Sequence, residues 1–199
     1  MISKANYPSH FKVLIICLIA TFCGCKKNNE KQEIKAIEKN IIRAEDLVVD
    51  KMGLSKASIV IKTARGNIEF KLYPKKAPNT VTRIIELTNN EFYDGKKFHR
   101  VIPNFVIQTG DPLGNGTGGS GKKLKAEFND IQHIKGTVAM ARTTDPDSAD
   151  SQFYIALTTL PNLDRKYTVF GQVIEGLEVI EKIAQDDVII SMVFKRKNK

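Results

Sequence analysis

Apolar and polar residues alternate along short stretches of the chain from Ser58 onward, and this pattern predicts a β-rich body. The runs at 58–63 and 68–73 are separated by an Arg-Gly-Asn turn, so we predict that they form a hairpin. Six further short runs rich in β-favouring residues predict additional strands, at 98–102, 105–108, 137–141, 152–157, 168–173 and 188–194.

Two stretches have helical spacing instead. Apolar residues after a predicted cap at Asn79 and Thr80 predict a helix that ends near Asn90, and a second helix is predicted over 177–184. Many short strands with few helices are typical of β-barrels. We therefore predict an all-β fold with two helices, built as a closed antiparallel eight-stranded barrel that the two helices cap.

The first 24 residues have the pattern of a signal peptide. The apolar run at 13–22 is well short of the roughly 20 residues that span a bilayer as a helix. It ends in Phe-Cys-Gly-Cys, which resembles the bacterial lipoprotein signal, with Phe22 in place of the usual Leu. We expect lipid attachment at Cys25, which would anchor the protein to a membrane of the cell envelope, outside the cytoplasm. An uncleaved anchor and an ordinary secreted precursor are the alternatives.

Residues 25–54 are predicted to separate this signal from the body. The polar stretch at 26–33 is typical of a solvated tether. Apolar residues from Ile34 to Val48 then recur at three- and four-residue spacing, which predicts a short spacer helix that ends at Gly53. The folded domain is expected to cover 55–199.

The composition supports one globular domain. The 199-residue chain is 42% hydrophobic and 27% charged, which excludes a disordered tail, a collagen-like fibre and a polytopic membrane protein. Its formal net charge of +9 would suit nucleic acid or anionic lipid. No basic helix is apparent, so we interpret the charge as favouring solubility and attraction to lipid headgroups, and we expect no nucleic-acid partner. All three cysteines precede residue 26, which excludes a disulfide framework from the body.

Several short patterns resemble cofactor-binding or metal-binding motifs, but the residues around them do not fit such sites. The stretch at 114–119 matches Gly-x-Gly-x-x-Gly, but no apolar helix follows it to receive a pyrophosphate. The aspartates at 145–150 lack the order of a calcium loop. His99 and His133 have no acidic residues at ligand spacing. We predict neither a cofactor nor a metal.

The segment at 98–111 brings together Arg100, Phe105 and Gln108 within nine residues. Here the sequence resembles the cyclophilin family of peptidyl-prolyl isomerases. The resemblance continues in the family's order through the segments at 114–119, 139–143, 151–155 and 163–171. It extends from about Ser58 to the C-terminus, and several ordered motifs are far more specific than one.

The resemblance implies a cyclophilin-like barrel that isomerises proline-containing segments of unfolded or flexible proteins and so assists folding. Arg100 matches the family's catalytic arginine, and Gln108 matches the glutamine that orients this arginine and meets the substrate backbone. The other matched positions are expected to bind substrate: Phe105, Val106, Ala141, Arg142, Gln152, Tyr154, Leu163 and Tyr167. We expect a monomer.

Three positions depart from the family pattern. Tyr154 stands where many members have Phe, which adds a hydroxyl that must find water or a partner at the pocket edge. Asn162 stands where many animal members have the Trp that binds cyclosporin, so we expect weak binding of that drug. Tyr167 replaces a His of animal members, which fits a bacterial sequence.

Two other classes of function stay open on the sequence alone. A proline-peptide-binding chaperone or adaptor would use the same groove with incidental or no turnover. The intact set of Arg100, Phe105 and Gln108 argues against an inactive site without excluding that role. A nucleic-acid binder would rest on the charge alone and would bind duplexes with a steep dependence on salt.

Overall fold

The computed structural model describes residues 56–196. The predicted signal peptide, Cys25, the tether and the spacer helix lie outside the described residues. Residues 56–196 contain two α-helices, α1 (Pro78–Asn89) and α2 (Leu177–Ile180), with short 3-10 helices at Pro146–Ser148 and Pro161–Leu163. The eight strands are β1 (Ser58–Thr63), β2 (Gly66–Leu72), β3 (Arg100–Ile102), β4 (Val106–Thr109), β5 (Thr137–Met140), β6 (Phe153–Ala156), β7 (Val169–Glu175) and β8 (Ile189–Lys195).

The strands form one curled antiparallel sheet in the order β3-β4-β6-β5-β7-β2-β1-β8. The predicted mostly-β fold with two helices is confirmed, but the predicted closure is wrong, because the sheet is an open half-barrel. Within 56–196, the end strands β3 and β8 form no ladder with each other, and the segments preceding them meet at one isolated bridge, Lys97 with Val188. On the free side of β3, the backbone N–H of Val101 donates to Oε1 of Gln185 at 3.0 Å and not to β8.

The predicted hairpin is confirmed. β1 pairs with β2 in register from Ser58 opposite Lys71 to Thr63 opposite Gly66. The turn is tight because Gly66 adopts a positive φ of 132° and the Thr63 hydroxyl donates to the Gly66 carbonyl oxygen at 2.9 Å. β2 therefore begins two residues before the predicted start.

The helices differ from their predictions in ways that side-chain contacts explain. The N-cap of α1 is Ala77, and neither Asn79 nor Thr80 caps the helix. Their backbone N–H groups instead donate to the carboxylate of Glu127, at 2.9 and 2.8 Å. The predicted second helix over 177–184 is too long, because α2 is a single turn and the N–H of Ala184 donates to the Asp187 carboxylate.

Alternation along the strands places one apolar set inside the half-barrel. Ile107 on β4 and Ile155 on β6 are fully buried there. The centre of this core is aromatic, with rings in tilted or edge-on contact: Phe70, Tyr93, Phe153 and Phe170. Intervening residues of the same strands point to the opposite face of the sheet, where the functional candidates lie.

Candidate active site

A pocket of about 150 Å³ lies on this outer face and collects nine of the ten predicted catalytic and substrate-binding residues. Its lining residues are Arg100, Phe105, Val106, Gln108, Ala141, Arg142, Tyr154, Leu163 and Tyr167. The tenth, Gln152, lies behind Gln108 and lines a neighbouring cavity. Residues from four separate segments of the sequence thus meet at one site.

Strand register explains why the central residues meet. Arg100 on β3 is paired with Gln108 on β4, and Gln108 is in turn paired with Tyr154 on β6. Because side chains of directly paired residues lie on the same face of a sheet, the three side chains form one row across three strands. Val106, two residues before Gln108, projects to the same face.

A chain of hydrogen bonds holds the polar side of the pocket. Arg100 Nη1 donates to Gln108 Oε1 at 3.1 Å, and Gln108 Nε2 donates to Gln152 Oε1 at 2.9 Å. Gln152 Nε2 then donates to the carbonyl oxygens of Gly116 and Gly118, at 3.0 and 2.8 Å. The direction of each bond fixes the amide orientations, so the oxygen of Gln108 faces the guanidinium.

The glycine-rich stretch at 114–119 supports the pocket through Gln152. Asp111, which is almost fully buried, accepts hydrogen bonds from the backbone N–H groups of Leu113, Asn115 and Gly116. Although burial disfavours its charged form, these hydrogen bonds hold the pKa of the Asp111 carboxyl below its usual range. The ionised Asp111 thereby shapes the loop that presents the two carbonyl oxygens to Gln152.

Arg100 keeps its positive charge available to a ligand. Its side chain is exposed, and no ion pair among the described residues includes it. The guanidinium carbon lies 5.7 Å from the centre of the Phe105 ring, where a cation is attracted to the aromatic face. The cation therefore lines the pocket beside its aromatic wall and is not neutralised by a carboxylate.

The apolar floor is a second hydrophobic cluster, separate from the inner core. Val106 and Tyr154 are buried in it, and Phe105, Leu163 and Tyr167 pack around it half-buried. An apolar floor with a partly exposed wall can hold a small aliphatic ring.

Arg142 is fixed by contacts rather than free in solvent. Its guanidinium lies 4.8 Å from the centre of the Tyr167 ring and 5.5 Å from that of Phe128. It donates to the carbonyl oxygens of Lys166 and Thr143, at 2.9 and 2.8 Å. These contacts hold Arg142 in place beside Tyr167, on one side of the pocket.

The Tyr154 hydroxyl, for which the sequence indicates no partner, points away from the pocket to His133. The Oη atom of Tyr154 lies 3.0 Å from Nε2 of His133, and Nδ1 of His133 lies 2.9 Å from the Asp164 carboxylate. From the sequence, His133 was considered only as a metal ligand, and this contact was missed. The tyrosine itself was the signal that could have indicated this contact, because a buried tyrosine hydroxyl needs a hydrogen-bond partner.

Residues 56–196 were compared with the side-chain clusters that bind metals and with the helices that span membranes. Within 56–196, no cluster of three His, Cys, Asp or Glu side chains could hold a metal ion. Over the same residues, no helix is long and apolar enough to cross a membrane.

Comparison with known sequences gives one consistent family. The family model for "Cyclophilin type peptidyl-prolyl cis-trans isomerase/CLD" matches residues 58–197. A peptidyl-prolyl cis-trans isomerase of Helicobacter pylori is 44% identical over 142 residues, which cover 69% of this chain and 86% of the relative. Peptidyl-prolyl cis-trans isomerase B of Bacillus subtilis is 46% identical over 124 residues, covering 61% of this chain and 86% of the relative.

Solved structures agree with the sequence relatives. A cyclophilin-type isomerase of Cryptosporidium parvum, crystallised in the presence of the dipeptide Ala-Pro, superposes with a TM-score of 0.66 and 27% identity. The match covers 70% of this chain and 99% of that one. A cyclophilin from Hirschia baltica superposes with a TM-score of 0.62 and 26% identity, over 68% of this chain and 73% of that one. Because the family match spans most of the chain and includes the segments that line the pocket, the chain belongs to the cyclophilin family and is a peptidyl-prolyl cis-trans isomerase.

Proposed function

We propose that this isomerase acts by non-covalent stabilisation of a twisted prolyl amide, with Arg100 as the catalytic residue. The observation that carries the proposal is the position of Arg100. An unneutralised guanidinium lines a small pocket that has an apolar floor, and it is oriented by Gln108.

The chemistry asks for a hydrogen-bond donor rather than a nucleophile. Conjugation of the prolyl nitrogen with the carbonyl group gives rotation a barrier of about 20 kcal/mol. In the twisted transition state this conjugation is lost, and the lone pair of the nitrogen can accept a hydrogen bond. An arginine is always protonated and can donate it, and the exclusion of water strengthens the interaction.

The Gln108–Gln152 pair supplies the geometry. Gln108 engages Nη1 of Arg100, and the remaining guanidinium N–H groups have no hydrogen-bond partner among residues 56–196. They are therefore available to a substrate. Because Gln152 is tied to two backbone carbonyl oxygens, the orientation is set before substrate arrives and need not be reached during the reaction.

The pocket suits an extended X–Pro segment. The apolar floor of Val106 and Tyr154 can receive the proline ring, with Phe105 and Leu163 as walls. Ala141 would present a polypeptide edge to the substrate backbone, together with the neighbouring Arg142. Such a site would recognise the proline ring and the main chain of the substrate. We therefore expect a broad choice of substrates among unfolded or flexible proteins. The Cryptosporidium parvum isomerase, whose crystals were obtained in the presence of Ala-Pro, supports this substrate class.

Prolyl exchange on a short X–Pro peptide tests the mechanism, with the full chain, an Arg100→Ala variant and an Arg65→Ala control. Arg65 is an exposed arginine that pairs with Asp187 away from the pocket. We expect Arg100→Ala to lower kcat/KM about 100-fold, equivalent to about 3 kcal/mol of transition-state stabilisation, and Arg65→Ala to leave it unchanged.

Two outcomes would contradict the mechanism. A folded Arg100→Ala variant with wild-type kcat/KM would remove Arg100 from the reaction. A wild-type protein that binds the peptide without accelerating exchange would favour the alternative function, a proline-peptide-binding chaperone or adaptor.

We also propose that the isomerase works as a monomer in the cell envelope, anchored outside the cytoplasm by lipid on Cys25. The support for the lipid anchor is the sequence pattern at 13–25. Expressed in bacteria, Cys25→Ala is expected to move the protein from the membrane fraction to the soluble fraction, whereas the neighbouring Cys23→Ala should not. A Cys25→Ala protein that stays with the membrane would contradict lipid anchoring.

A further inference from the structure

A hydrogen-bonded series of three side chains lies directly behind the pocket floor. Its centre is His133, whose side chain is fully buried. One ring nitrogen faces the carboxylate of Asp164 at 2.9 Å, and the other faces the Tyr154 hydroxyl at 3.0 Å. The series therefore runs from a partly exposed carboxylate to a side chain that lines the pocket.

The acid at one end fixes the proton positions. Asp164 accepts from both the backbone N–H and Nδ1 of His133, and these bonds hold the pKa of its carboxyl below the usual range. An ionised carboxylate only accepts hydrogen bonds, so Nδ1 carries a proton. In the neutral imidazole Nε2 is then an acceptor, and the Tyr154 hydroxyl donates to it. Burial raises the pKa of that hydroxyl, which keeps its proton in place.

The same histidine organises the rest of the floor. Its ring is nearly parallel to that of Tyr154, with centres 6.0 Å apart and an angle of 16° between the planes. Tyr167 meets Tyr154 edge-on at 5.7 Å. The His133 carbonyl oxygen accepts from the N–H of Leu160, which precedes the 3-10 helix bearing Leu163.

This hydrogen bond, at 2.8 Å, ties the wall of the pocket to the same buried residue as the floor. His133 therefore contacts Tyr154 and Tyr167 through its ring, and its carbonyl oxygen is bonded to the residue that precedes the helix bearing Leu163.

We propose that His133 is a positioning residue for the isomerase, acting through Nε2 to hold the Tyr154 ring where the substrate proline packs. A phenylalanine ring at this position would fill the same space, but only packing would limit its motion. The hydroxyl adds a directional contact to a buried partner that the Asp164 carboxylate itself orients. This inference rests on the proposed binding of the proline ring against Tyr154.

A double-mutant cycle on the full chain separates this role from ordinary packing. The variants are Tyr154→Phe, His133→Gln and the double variant, assayed for KM and kcat with an X–Pro peptide. We expect Tyr154→Phe to raise KM about threefold to tenfold with kcat nearly unchanged, because binding weakens equally in the ground and transition states. His133→Gln should raise KM similarly, and should add little in the Tyr154→Phe background.

Tyr93→Phe is the matched control. It removes another buried tyrosine hydroxyl, which donates to the Ser151 carbonyl oxygen at 3.0 Å on the core side of the sheet. We expect it to lower the free energy of unfolding without changing KM. Unchanged KM in both Tyr154→Phe and His133→Gln would overturn the proposal. So would additive effects of the two substitutions, since His133 would then act independently of the hydroxyl.

Two measurements remain informative if His133→Gln is unstable or the enzyme does not turn over. Nitrogen NMR of the His133 ring should show a proton on Nδ1, and the Nε2 signal should shift in Tyr154→Phe; a proton on Nε2 alone would overturn the proposal. Calorimetric binding of the same peptide should weaken about threefold to tenfold in Tyr154→Phe. Intact binding effects without wild-type turnover would refute the isomerase mechanism while retaining the positioning role.

Discussion

The two faces of the strands β4 to β7 are both apolar, but only one of them is closed to solvent. The inner face contributes fully buried residues to the core, among them Ile107, Phe153 and Phe170. The outer face of the same strands carries the second cluster, whose buried members include Val106, Tyr154 and Val169. Its rim is only half-buried, at Phe105, Leu163 and Tyr167.

The difference shows how one sheet serves folding and function at once. An antiparallel sheet with one solvated face normally places polar residues there. Here the outer face has an apolar cluster that spans several strands, and the polar side chains of Arg100 and Gln108 line the pocket beside it. Substitutions on the inner face should therefore affect stability first, and those on the outer rim should affect turnover first.

The largest expected effect lies on the inner face. Phe153→Ala removes a fully buried ring that contacts three other aromatic rings. We expect the free energy of unfolding to fall by about 3–5 kcal/mol, measured by urea denaturation. Phe153→Leu, which retains most of the volume, should cost clearly less. A loss below about 1 kcal/mol for Phe153→Ala would break the distinction between the faces.

On the outer rim, Phe105→Ala should lower turnover and leave stability nearly unchanged, the opposite of the effect expected for the inner face. We expect kcat/KM to fall about tenfold, equivalent to about 1.4 kcal/mol, because the pocket loses a wall and the aromatic face beside Arg100. The free energy of unfolding should change by less than about 1 kcal/mol. Ile190→Ala, at an exposed apolar residue of β8 outside the pocket, is the control and should alter neither quantity appreciably. Unchanged turnover in Phe105→Ala would contradict a binding role for the rim.

A smaller effect is expected where polar contacts support the outer face. Gln152→Ala removes the partner that orients Gln108. We expect kcat/KM to fall about fivefold, the equivalent of about 1 kcal/mol for one hydrogen bond. Gln172→Ala removes a glutamine that bonds to the Lys135 carbonyl oxygen away from the pocket, and it should leave turnover intact. Equal losses in both variants would point to a general effect on the sheet.

The smallest effect concerns the acid stability of the loop behind Gln152. The pKa of Asp111 is lowered in the folded protein, so its contribution to stability is present above about pH 4, the usual value for an aspartate. It is lost as the pH falls through the folded-state pKa, because the unfolded chain takes up the proton first. Asp111→Asn should therefore flatten the decline of unfolding free energy below about pH 4 in urea titrations. An unchanged slope would contradict this.

Local elements are predicted well from the sequence where short-range contacts decide them. The hairpin of β1 and β2 follows from alternation and a glycine turn, and both are present. Helix ends were harder to predict because side chains outside the helix determine them. Glu127, which is far along the chain from α1, binds the first N–H groups of that helix. Asp187 accepts the Ala184 N–H where the second helix was expected to continue.

The candidate site likewise has features that local sequence predicts and features that depend on contacts between distant residues. Motif order alone selected Arg100, Phe105 and Gln108, and the structure brings these residues to one pocket. His133 was missed as a neighbour of Tyr154 because the two residues are 21 positions apart and meet only through folding. The prediction of a closed barrel was likewise wrong, since the number of strands does not determine whether β3 and β8 form a ladder.

Alternation, turn residues and ordered motifs are local properties of the chain, and they suffice to predict the β-rich body, its hairpin and the residue types of a prolyl isomerase. Three features emerge only on folding: the sheet stays open, Gln152 orients Gln108 through the glycine-rich loop, and His133 meets the Tyr154 hydroxyl. Each of these depends on strand register and on groups distant in sequence that must satisfy one another's hydrogen bonds once burial removes water.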